Sequence, residues 1–325
     1  MAYAIRIHGY GGPEVLSWDE VEVGEPGPGE VRIRHTAIGV NFIDTYHRTG
    51  LYPLPSLPAI LGREAAGEVD AVGSGVSEFG VGDRVAYPQH NGGSYVEAAN
   101  VPAAAIVPLP DSISDEQAAA VMLKGLTAQY LLRGTFRVEA GQTILFHAAA
   151  GGVGSLACQW ARHLGATVIG TAGGPAKVER ALHNGCHEVI DYTREDFVAR
   201  VRDLTEGAGV PVVYDSVGRD TFDGSLDCLA RRGLMVSFGQ SSGPVPPFDV
   251  LTLLRKGSLY ITRPTLHDYI ATRESLLAAA DELFSVIASG AVKIETGARY
   301  ALRDAAQAHR DLEARRTMGS VLLVP

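Results

Sequence analysis

The stretch LFHAAAGGVGSLACQWARHLGATVIGT, residues 145–171, decides the fold of this 325-residue chain. An apolar, strand-like run leads into a cluster of Ala and Gly, then into an amphipathic segment and a second strand-like run. This order predicts a β-α-β unit whose tight first turn holds a dinucleotide pyrophosphate at a helix N-terminus. Ala149, Gly151 and Gly154 occupy the three glycine positions of the G-x-G-x-x-G fingerprint, so only the first glycine is replaced. Gly151 allows close backbone approach to the pyrophosphate, and Gly154 allows close helix–strand packing.

The residues that follow the second strand of this unit predict which dinucleotide is bound. An NAD site normally places Asp or Glu after the second strand to accept from the ribose 2′-hydroxyl. Here the residues at 171–174 are TAGG, and Lys177 follows in the first turn of the next predicted helix. Tyr192 and Asp191 end the third strand nearby. A cation and a phenol without the carboxylate suit a 2′-phosphate, so the sequence favours NADP(H). A solvated surface lysine is the alternative for Lys177 alone.

Strands and helices alternate from about residue 123 to 261. We predict helices that begin near Gly152, Pro175, Arg194, Thr221 and Phe248. The predicted strands between them are TILFH, ATVIGT, EVIDY, VPVVYDSV, LMVSFG and SLYITR. Six strands joined by helical crossovers indicate an α/β fold with a doubly wound, parallel Rossmann sheet, which binds its ligand at the carboxyl ends of the strands.

The flanking segments predict a second domain. Residues 1–122 contain short alternating runs with Gly-rich turns, which are typical of a compact β-barrel. Residues 262–325 contain two helical segments, 269–290 and 302–316, and a final strand, SVLLVP. Because this tail is too short for a core of its own, we expect it to return to the first domain. The Rossmann domain, 123–261, is then an insertion, and the site is expected in the cleft between the two domains.

Composition excludes several classes of function. The net charge of −9 argues against nucleic acid as a partner, which requires a basic face. No apolar run is long enough to span a membrane, and the first residues lack the features of a secretory leader. The three cysteines are sparse and do not form a disulfide framework or a zinc ribbon. We therefore expect a cytoplasmic protein whose thiols are buried and unreactive.

Further motifs carry a family resemblance over essentially the whole chain. They are AIGVNFIDTYHRTGLYP at 37–53, AAGEVDAVGSGV at 65–76, GDRVAY at 82–87, LKGLTAQYLL at 123–132, HAAAGGVG at 147–154, the run at 214–243 and KGSLYITRP at 256–264. Together they resemble the bacterial, zeta-crystallin-like NADPH:quinone reductase branch of the medium-chain dehydrogenase/reductase superfamily. The resemblance implies a GroES-like catalytic domain with an inserted Rossmann domain, NADPH as cofactor, a quinone substrate and a homodimer.

Departures from the zinc alcohol dehydrogenases of this superfamily predict that no metal is used. Asn41 stands where those enzymes have a Cys ligand, and their G-H-E motif is Gly62-Arg63-Glu64 here. A cationic Arg63 cannot replace a neutral imidazole ligand. We expect a structural role for Glu64, tied to Arg63 or to backbone groups.

The resemblance also implies site residues. It places four side chains near the nicotinamide ribose or ring: Asn41, Asp44, Thr127 and Tyr130. Gly152 and Val153 would meet the pyrophosphate. Four residues would surround the 2′-phosphate: Gly173, Lys177, Tyr192 and Arg315. The remaining cofactor contacts would be Ser216, Phe238, Gly239, Ser241, Arg263 and Pro264. Tyr46 and Tyr52, with Asn41, would form the quinone pocket. Ordinary packing is the alternative for each tyrosine, and solvation is the alternative for Arg315.

A quinone is already electrophilic, so its reduction needs little activation. Hydride addition yields a phenolate-like anion whose conjugate acid has a pKa of about 10, and a Lewis acid is unnecessary. The protein must hold the ring against the nicotinamide and exclude water. Two alternatives remain: an NADPH-dependent enone or enal reductase, which must also deliver a proton to carbon, and an NADPH-binding structural or RNA-binding protein with little turnover.

Overall fold

A computed structural model describes residues 1–89 and 92–325 of the chain. Its strands are β1 (Ala2–Ile7), β2 (Leu16–Val21), β3 (Glu30–Val40), β4 (Ala59–Ile60), β5 (Ala65–Val72), β6 (Arg84–Tyr87), β7 (Ala98–Pro102), β8 (Val107–Pro108), β9 (Thr143–Phe146), β10 (Thr167–Ala172), β11 (Glu188–Asp191), β12 (Val210–Asp215), β13 (Leu229–Ser237), β14 (Tyr260–Thr262), β15 (Thr296–Ala301) and β16 (Ser320–Val324).

The helices complete the element order. They are α1 (Phe42–Thr49), α2 (Asp115–Gln129), α3 (Gly152–His163), α4 (Pro175–His183), α5 (Phe197–Leu204), α6 (Phe222–Cys228), α7 (Leu251–Arg255), α8 (Leu266–Tyr269), α9 (Arg273–Ala288) and α10 (Ala305–Glu313). A π-helical segment, Tyr130–Thr135, continues α2, and short 3₁₀ turns cover Pro13–Val15, Ala103–Ala105 and Leu302–Asp304.

The chain divides into two compact units. The first contains residues 1–126, 270–288 and 294–325, and the second contains 127–269 and 289–293. The sequence pattern predicts junctions at 122/123 and 261/262, slightly before those of the structure.

The second unit is built on a parallel sheet with the strand order β11-β10-β9-β12-β13-β14. Each neighbouring pair is parallel, as in the register of Ile169 with Leu145 and of Val213 with Leu145. The strand order reverses between β9 and β12, which places the switch point at the carboxyl end of β9. The predicted Rossmann sheet is confirmed. Its central strands β10, β9 and β12 are buried on both faces, as expected for a sheet covered by helices.

The first unit is mostly antiparallel β structure. Its larger sheet has the order β15-β16-β3-β5-β6-β8, with β7 also paired to β3, and a smaller sheet has the order β2-β1-β4. The last strand, β16, pairs antiparallel with β3 through Leu322 and Gly39. The tail therefore returns to the first domain, as expected, and Val321 and Leu323 enter the same core as Ile33 and Ile38.

Four predicted helical segments have different bounds in the structure. The segment 269–290 is helical in α9 only from Arg273 to Ala288. Helix α5 begins at Phe197 rather than near Arg194, because the Asp196 carboxylate caps it by accepting from the Val198 and Ala199 amides. Helix α7 begins at Leu251 rather than near Phe248. The segment 302–316 is a 3₁₀ turn followed by α10, which ends at Glu313.

Candidate functional site

The glycine-rich turn after β9 forms an anion cradle. Ala148 adopts a left-handed conformation with φ of 52°, and the Ala149 amide donates to Thr171 O at 3.0 Å. A side chain at Gly154 would place Cβ 2.4 Å from Ala148 O, so only glycine permits this helix–strand contact. Gly152 and Val153 begin α3, whose first amides have no partner within the helix. These free amides and the helix dipole suit a pyrophosphate.

Gly173 and Tyr192 meet beyond the end of β10. A Cβ at Gly173 would lie 2.5 Å from Tyr192 Oη and 2.7 Å from its Cζ, so the phenol lies directly against this glycine. Tyr192 is 46% exposed, which leaves its ring accessible to a ligand. Lys177 is half-buried in the first turn of α4. The structure thus brings the phenol and the first turn of α4 to one loop.

A carboxylate reaches this loop from the neighbouring strand. The sequence offers no acid after β10 before Glu179, yet Asp191 at the end of β11 accepts from Gly174 N at 3.0 Å. The same oxygen accepts from Thr193 N at 3.1 Å and from Thr193 Oγ1 at 2.7 Å. The Gly174 amide, then the Thr193 hydroxyl, lower the pKa of Asp191. Asp191 therefore organises the loop.

The loops after β12 and β13 are joined to each other. The Ser241 amide donates to Ser216 O at 3.1 Å, and a Cβ at Gly239 would lie 2.6 Å from the same oxygen. The Phe238 amide donates to Asp215 O at 2.8 Å. Arg263, immediately after β14 and before Pro264, donates to Ser237 O at 2.9 Å. The residues expected on the Rossmann strand ends therefore lie along one carboxyl edge.

A buried polar network lies beneath this edge. His147 Nδ1 is 2.9 Å from Thr171 Oγ1, and its Nε2 is 3.0 Å from Ser225 Oγ. Ser225 and Thr221 both donate to Asp215 Oδ2, at 2.9 Å and 2.7 Å. Burial lowers the pKa of His147, so its ring is neutral. The network joins the ends of β9, β10 and β12 to α6, and no spacing rule in the sequence reveals it.

Thr127 and Tyr130 lie where α2 passes into its π-helical continuation. Tyr130 is buried and stacks on Tyr269 with ring centroids 4.5 Å apart. Burial raises the pKa of Tyr130, and the charge of Arg263 opposes that rise, so these two residues interact. Tyr130 thus has a clear packing contact. Thr127, three residues earlier in the chain, is half-buried.

The first unit holds a second polar centre at the N-terminus of α1. Asn41 is the N-cap residue, and its Nδ2 donates to Glu64 Oε1 at 2.8 Å. Lys124 Nζ contacts the same oxygen at 2.8 Å, and the Leu123 amide donates to Oε2 at 2.5 Å. Glu64 is fully buried and Lys124 nearly so. A buried carboxylate is thus matched by a buried ammonium and two further donors.

Lys124 was missed by sequence reasoning. We expected Glu64 to pair with Arg63 or backbone; the backbone partner is Leu123, but the cation is Lys124 rather than Arg63. Arg63 instead faces Asp44. Burial lowers the pKa of the Arg63 guanidinium, and the negative charge of Asp44 opposes that lowering. The sequence feature that could have revealed this pair is the single charge in the apolar run AAAVMLKGL, residues 118–126. A lysine among buried residues needs a counter-charge.

Aromatic side chains form a row along α1 and the loop after it. Tyr46 packs edge-on against Phe42 at 5.5 Å and against Tyr52 at 5.1 Å. All three are half-buried, so part of each ring faces outward. A small pocket beside the row is lined by His47, Leu54, Ile60, Leu61, Gly62, Arg63 and Gly93. The structure therefore brings both predicted quinone-pocket tyrosines together.

Asp44 is fully buried on the same helix. Its Oδ2 accepts from the Asn41 amide and from Tyr95 Oη, each at 2.8 Å. Burial, partly opposed by these two donors, raises the pKa of Asp44 to about 6. Among the residues that the structure describes, Oδ1 has no hydrogen-bond partner.

Arg315 lies outside the helix in which it was expected. Helix α10 ends at Glu313, and Arg315 follows it with a left-handed φ of 58° and an exposed side chain. The Arg315 amide closes the turn by donating to Leu312 O at 3.0 Å.

The residues at the would-be metal position do not fit a zinc ion. The Glu64 carboxylate is taken by Lys124 and Leu123, and Asn41 presents a donor to it. An ammonium group already supplies the positive charge there. Within residues 1–89 and 92–325, no group of three or more His, Cys, Asp or Glu side chains could hold a metal ion. No helix in the same ranges is long and apolar enough to cross a membrane.

Comparisons with known proteins point to one group of related enzymes. Residues 27–111 match an alcohol dehydrogenase GroES-like domain, and residues 152–278 match a zinc-binding dehydrogenase family. The chain is 57% identical over 325 residues to a quinone oxidoreductase of Pseudomonas aeruginosa, covering all of both chains. It is 46% identical over 332 residues to a 2-haloacrylate reductase of Burkholderia, covering 100% of this chain and 99% of that one. The crystal structure of Escherichia coli quinone oxidoreductase complexed with NADPH superimposes with a TM-score of 0.98 at 54% identity, covering all of both chains.

Proposed function

The chain belongs to the quinone oxidoreductases of the medium-chain dehydrogenase/reductase superfamily, and we propose that it reduces quinones with NADPH without using a metal ion. The observation that carries the proposal is the pair of centres described above. One is a dinucleotide cradle with a phenol and a lysine at its far end. The other is an aromatic row beside a polar centre in which the Lys124 ammonium neutralises the buried Glu64 carboxylate.

The Rossmann edge holds the cofactor. The amides of Gly152 and Val153 bind the pyrophosphate, because the first amides of α3 have no partner within the helix. Lys177 and Tyr192 bind the 2′-phosphate, and the missing side chain at Gly173 makes room for the phenol. Arg315 contributes a further cation to the 2′-phosphate by analogy with the family. NADPH, when bound, supplies the hydride.

Asn41, Tyr46 and Tyr52 hold the quinone. The half-buried aromatic row offers an apolar wall against which a quinone ring packs. Arg63 lines the adjacent pocket and supplies positive charge for the oxygen that becomes anionic. Because the product is a phenolate-like anion, this modest stabilisation is sufficient and no Lewis acid is required.

A substrate panel tests the proposal. NADPH oxidation is measured with several quinones, with α,β-unsaturated carbonyl compounds and with a 2-haloacrylate, and each series is repeated with NADH. We expect quinone turnover to exceed the others and NADPH to be preferred. The activity should also survive dialysis against a chelator, with no stoichiometric zinc by metal analysis. Preference for NADH, or loss of activity with the chelator, would contradict the proposal.

Reduction of an activated carbon–carbon double bond is a second candidate. The 46% identity to a 2-haloacrylate reductase favours it. This reaction must deliver a proton to carbon, for which Tyr46 or Tyr52 would be the source. Turnover of a 2-haloacrylate well above that of every quinone would establish this function instead. No turnover with either class would favour an NADPH-binding protein without catalytic activity.

We also propose a homodimer that forms through the edge strand β14. Five apolar side chains around this edge are at least one-third exposed: Val250, Leu251, Leu254, Tyr260 and Ile261. Such a patch on an unpaired edge suits a two-fold copy of itself. The test is light scattering of the wild type and of Leu254→Glu; a monomeric wild type would refute the dimer.

The proposed location is the cytoplasm. All three cysteines are free and buried, as is usual for proteins of reducing compartments. Fractionation of cells that produce the protein tests this, and recovery outside the cytoplasmic fraction would contradict it.

A further inference from the structure

We propose that His47 and Arg63 form a subsite for a hydroxyl substituent of the quinone, so that quinones with a short hydroxyl-bearing side chain are the preferred substrates. This subsite rests on the proposed function, because it takes the molecule beside the aromatic row to be a quinone. His47, Arg63, Tyr46 and Tyr52 all belong to the first compact unit, so the subsite is complete within that unit.

The protein backbone fixes the tautomer of His47. Its Nδ1 lies 3.0 Å from Tyr52 O, and a carbonyl oxygen can only accept, so Nδ1 carries the proton and donates it. Burial, together with the positive charge of Arg63, lowers the pKa of His47 below its ordinary value. The ring is therefore neutral at neutral pH, and its Nε2 is a hydrogen-bond acceptor.

This acceptor is buried, and its side chain lines a pocket. Within residues 1–89 and 92–325, Nε2 of His47 has no hydrogen-bond partner. A buried acceptor without a donor is costly, and a ligand O–H group in the pocket would satisfy it. The small pocket beside the aromatic row is lined by His47, Leu54, Ile60, Leu61, Gly62, Arg63 and Gly93.

Arg63 supplies the complementary donors. Its half-buried guanidinium lines the same pocket and has no hydrogen-bond partner in the described part of the chain. A guanidinium can only donate, whereas Nε2 of His47 can only accept. The group that matches both is one that accepts once and donates once, which is a hydroxyl.

Size and charge favour a hydroxyl over a carboxylate. The pocket has a volume of about 10 Å³, which holds a group about as large as one water molecule. A carboxylate would bring a second oxygen and would place a negative charge against the His47 acceptor. The positive charge of Arg63 is already opposed by Asp44. The subsite therefore selects a small neutral group.

The subsite adjoins the wall on which the quinone ring packs. His47 contacts Tyr52 edge-on with ring centroids 6.1 Å apart, and Tyr52 contacts Tyr46 at 5.1 Å. A quinone against these tyrosines presents a short substituent to His47. The planar guanidinium of Arg63 can then donate both to a carbonyl oxygen and to a hydroxyl beside it. We therefore expect a hydroxymethyl group next to a carbonyl to be favoured.

Steady-state kinetics with NADPH tests this preference. The substrate 2-(hydroxymethyl)-1,4-benzoquinone is compared with 2-ethyl-1,4-benzoquinone, which has nearly the same shape but no hydroxyl. A third substrate, 2-(methoxymethyl)-1,4-benzoquinone, keeps the accepting oxygen and lacks the proton. The measured quantity is the ratio of kcat/KM for the hydroxymethyl compound to that for the ethyl compound. Comparison of this ratio between variants cancels the intrinsic reactivity of each quinone.

Two substitutions separate the two ring nitrogens. His47→Asn keeps a donor at the position of Nδ1, which can still reach Tyr52 O, but has no atom at the position of Nε2. His47→Gln places a carboxamide oxygen near the position of Nε2. The matched control is His8→Asn, because His8 is an exposed histidine of the same unit that contacts Asp19 at 2.8 Å.

We expect the hydroxymethyl-to-ethyl ratio to fall about five- to tenfold in His47→Asn, to stay within about twofold of wild type in His47→Gln and to be unchanged in His8→Asn. The methoxymethyl-to-ethyl ratio should not respond to His47→Asn, because the ether has no proton to donate. An unchanged hydroxymethyl-to-ethyl ratio in His47→Asn, or an equal loss for all three quinones, would overturn the inference.

A crystal structure of the wild type with 2-(hydroxymethyl)-1,4-benzoquinone tests the same contact if His47→Asn does not fold. The hydroxyl oxygen should lie within about 3.2 Å of His47 Nε2, and a hydroxyl that points elsewhere would also overturn the inference. Turnover of 2-ethyl-1,4-benzoquinone by the wild type shows separately whether the proposed function holds, since this substrate has no hydroxyl for the subsite.

Discussion

Substitution of Lys124 by Met tests the buried pair at the first polar centre. The change removes the ammonium 2.8 Å from Glu64 Oε1 and leaves a fully buried carboxylate with only the Asn41 and Leu123 donors. Breaking one side of a buried ion pair destabilises a protein by about 3–5 kcal/mol. At about 2–4 °C per kcal/mol for a domain of this size, the thermal midpoint should fall by about 6–20 °C.

The second substitution, Glu64→Gln, should restore much of this loss. In Lys124→Met/Glu64→Gln no charge remains buried. The new carboxamide at position 64 can still accept from the Leu123 amide, and the Asn41 side chain can rotate so that its oxygen accepts from the new NH₂ group. Replacement of a buried pair by neutral groups of similar volume is often close to neutral. We therefore expect the double variant to be more stable than Lys124→Met alone.

Thermal unfolding followed by circular dichroism provides the assay. Arg299→Met is the control, because Arg299 pairs with Glu116 on the surface of the same unit and its removal should shift the midpoint by about 2 °C or less. If Lys124→Met is as stable as this control, or if the double variant is less stable than Lys124→Met, Lys124 does not neutralise Glu64 in the folded protein.

Three further substitutions test the nucleotide loop and Asp44. Gly173→Ala should raise the KM for NADPH about tenfold with little change in the KM for quinone, because its Cβ would lie 2.5 Å from Tyr192 Oη and displace the phenol; an unchanged NADPH KM in steady-state kinetics would contradict this. Lys177→Met should lower the NADPH-to-NADH preference about tenfold or more and leave NADH kinetics unaffected, whereas equal losses for both nucleotides would show a general effect on the loop. Asp44→Asn should gain about 2 kcal/mol of stability relative to wild type between pH 4 and pH 6, because the raised pKa of Asp44 keeps the buried acid protonated while the same carboxyl ionises in the unfolded chain, which lowers the wild-type stability; melting temperatures that track each other across this interval would disprove that linkage.

The sequence was sufficient where function depends on local backbone geometry. The turn at Gly151 and Gly154 was predictable because a strand, a tight turn and a helix follow each other within a few residues. The tyrosines at 46 and 52 were also correctly grouped, since one helix and a short loop bring them together. The parallel sheet followed from the alternation of strands and helices and from the handedness of their connections.

The sequence was insufficient where partners are distant in the chain. Lys124 and Glu64 are separated by 60 positions, Tyr95 and His309 by 214, and Arg48 and Glu313 by 265. No periodicity connects residues at such separations, and a charged side chain does not indicate which of many counter-charges it meets. The extent of α10 was missed for a different reason: the charged run continues to Arg316, but the left-handed turn at Arg315 ends the helix.

The network around His147 limits how the nucleotide edge can change in evolution. One ring nitrogen bonds to Thr171 and the other to Ser225, which in turn donates to Asp215. A single replacement leaves at least one buried group without its partner, whereas a matched pair of replacements need not. Changes at this edge should therefore occur as compensating pairs of mutations. The order of the two mutations will decide whether the intermediate single variant still folds.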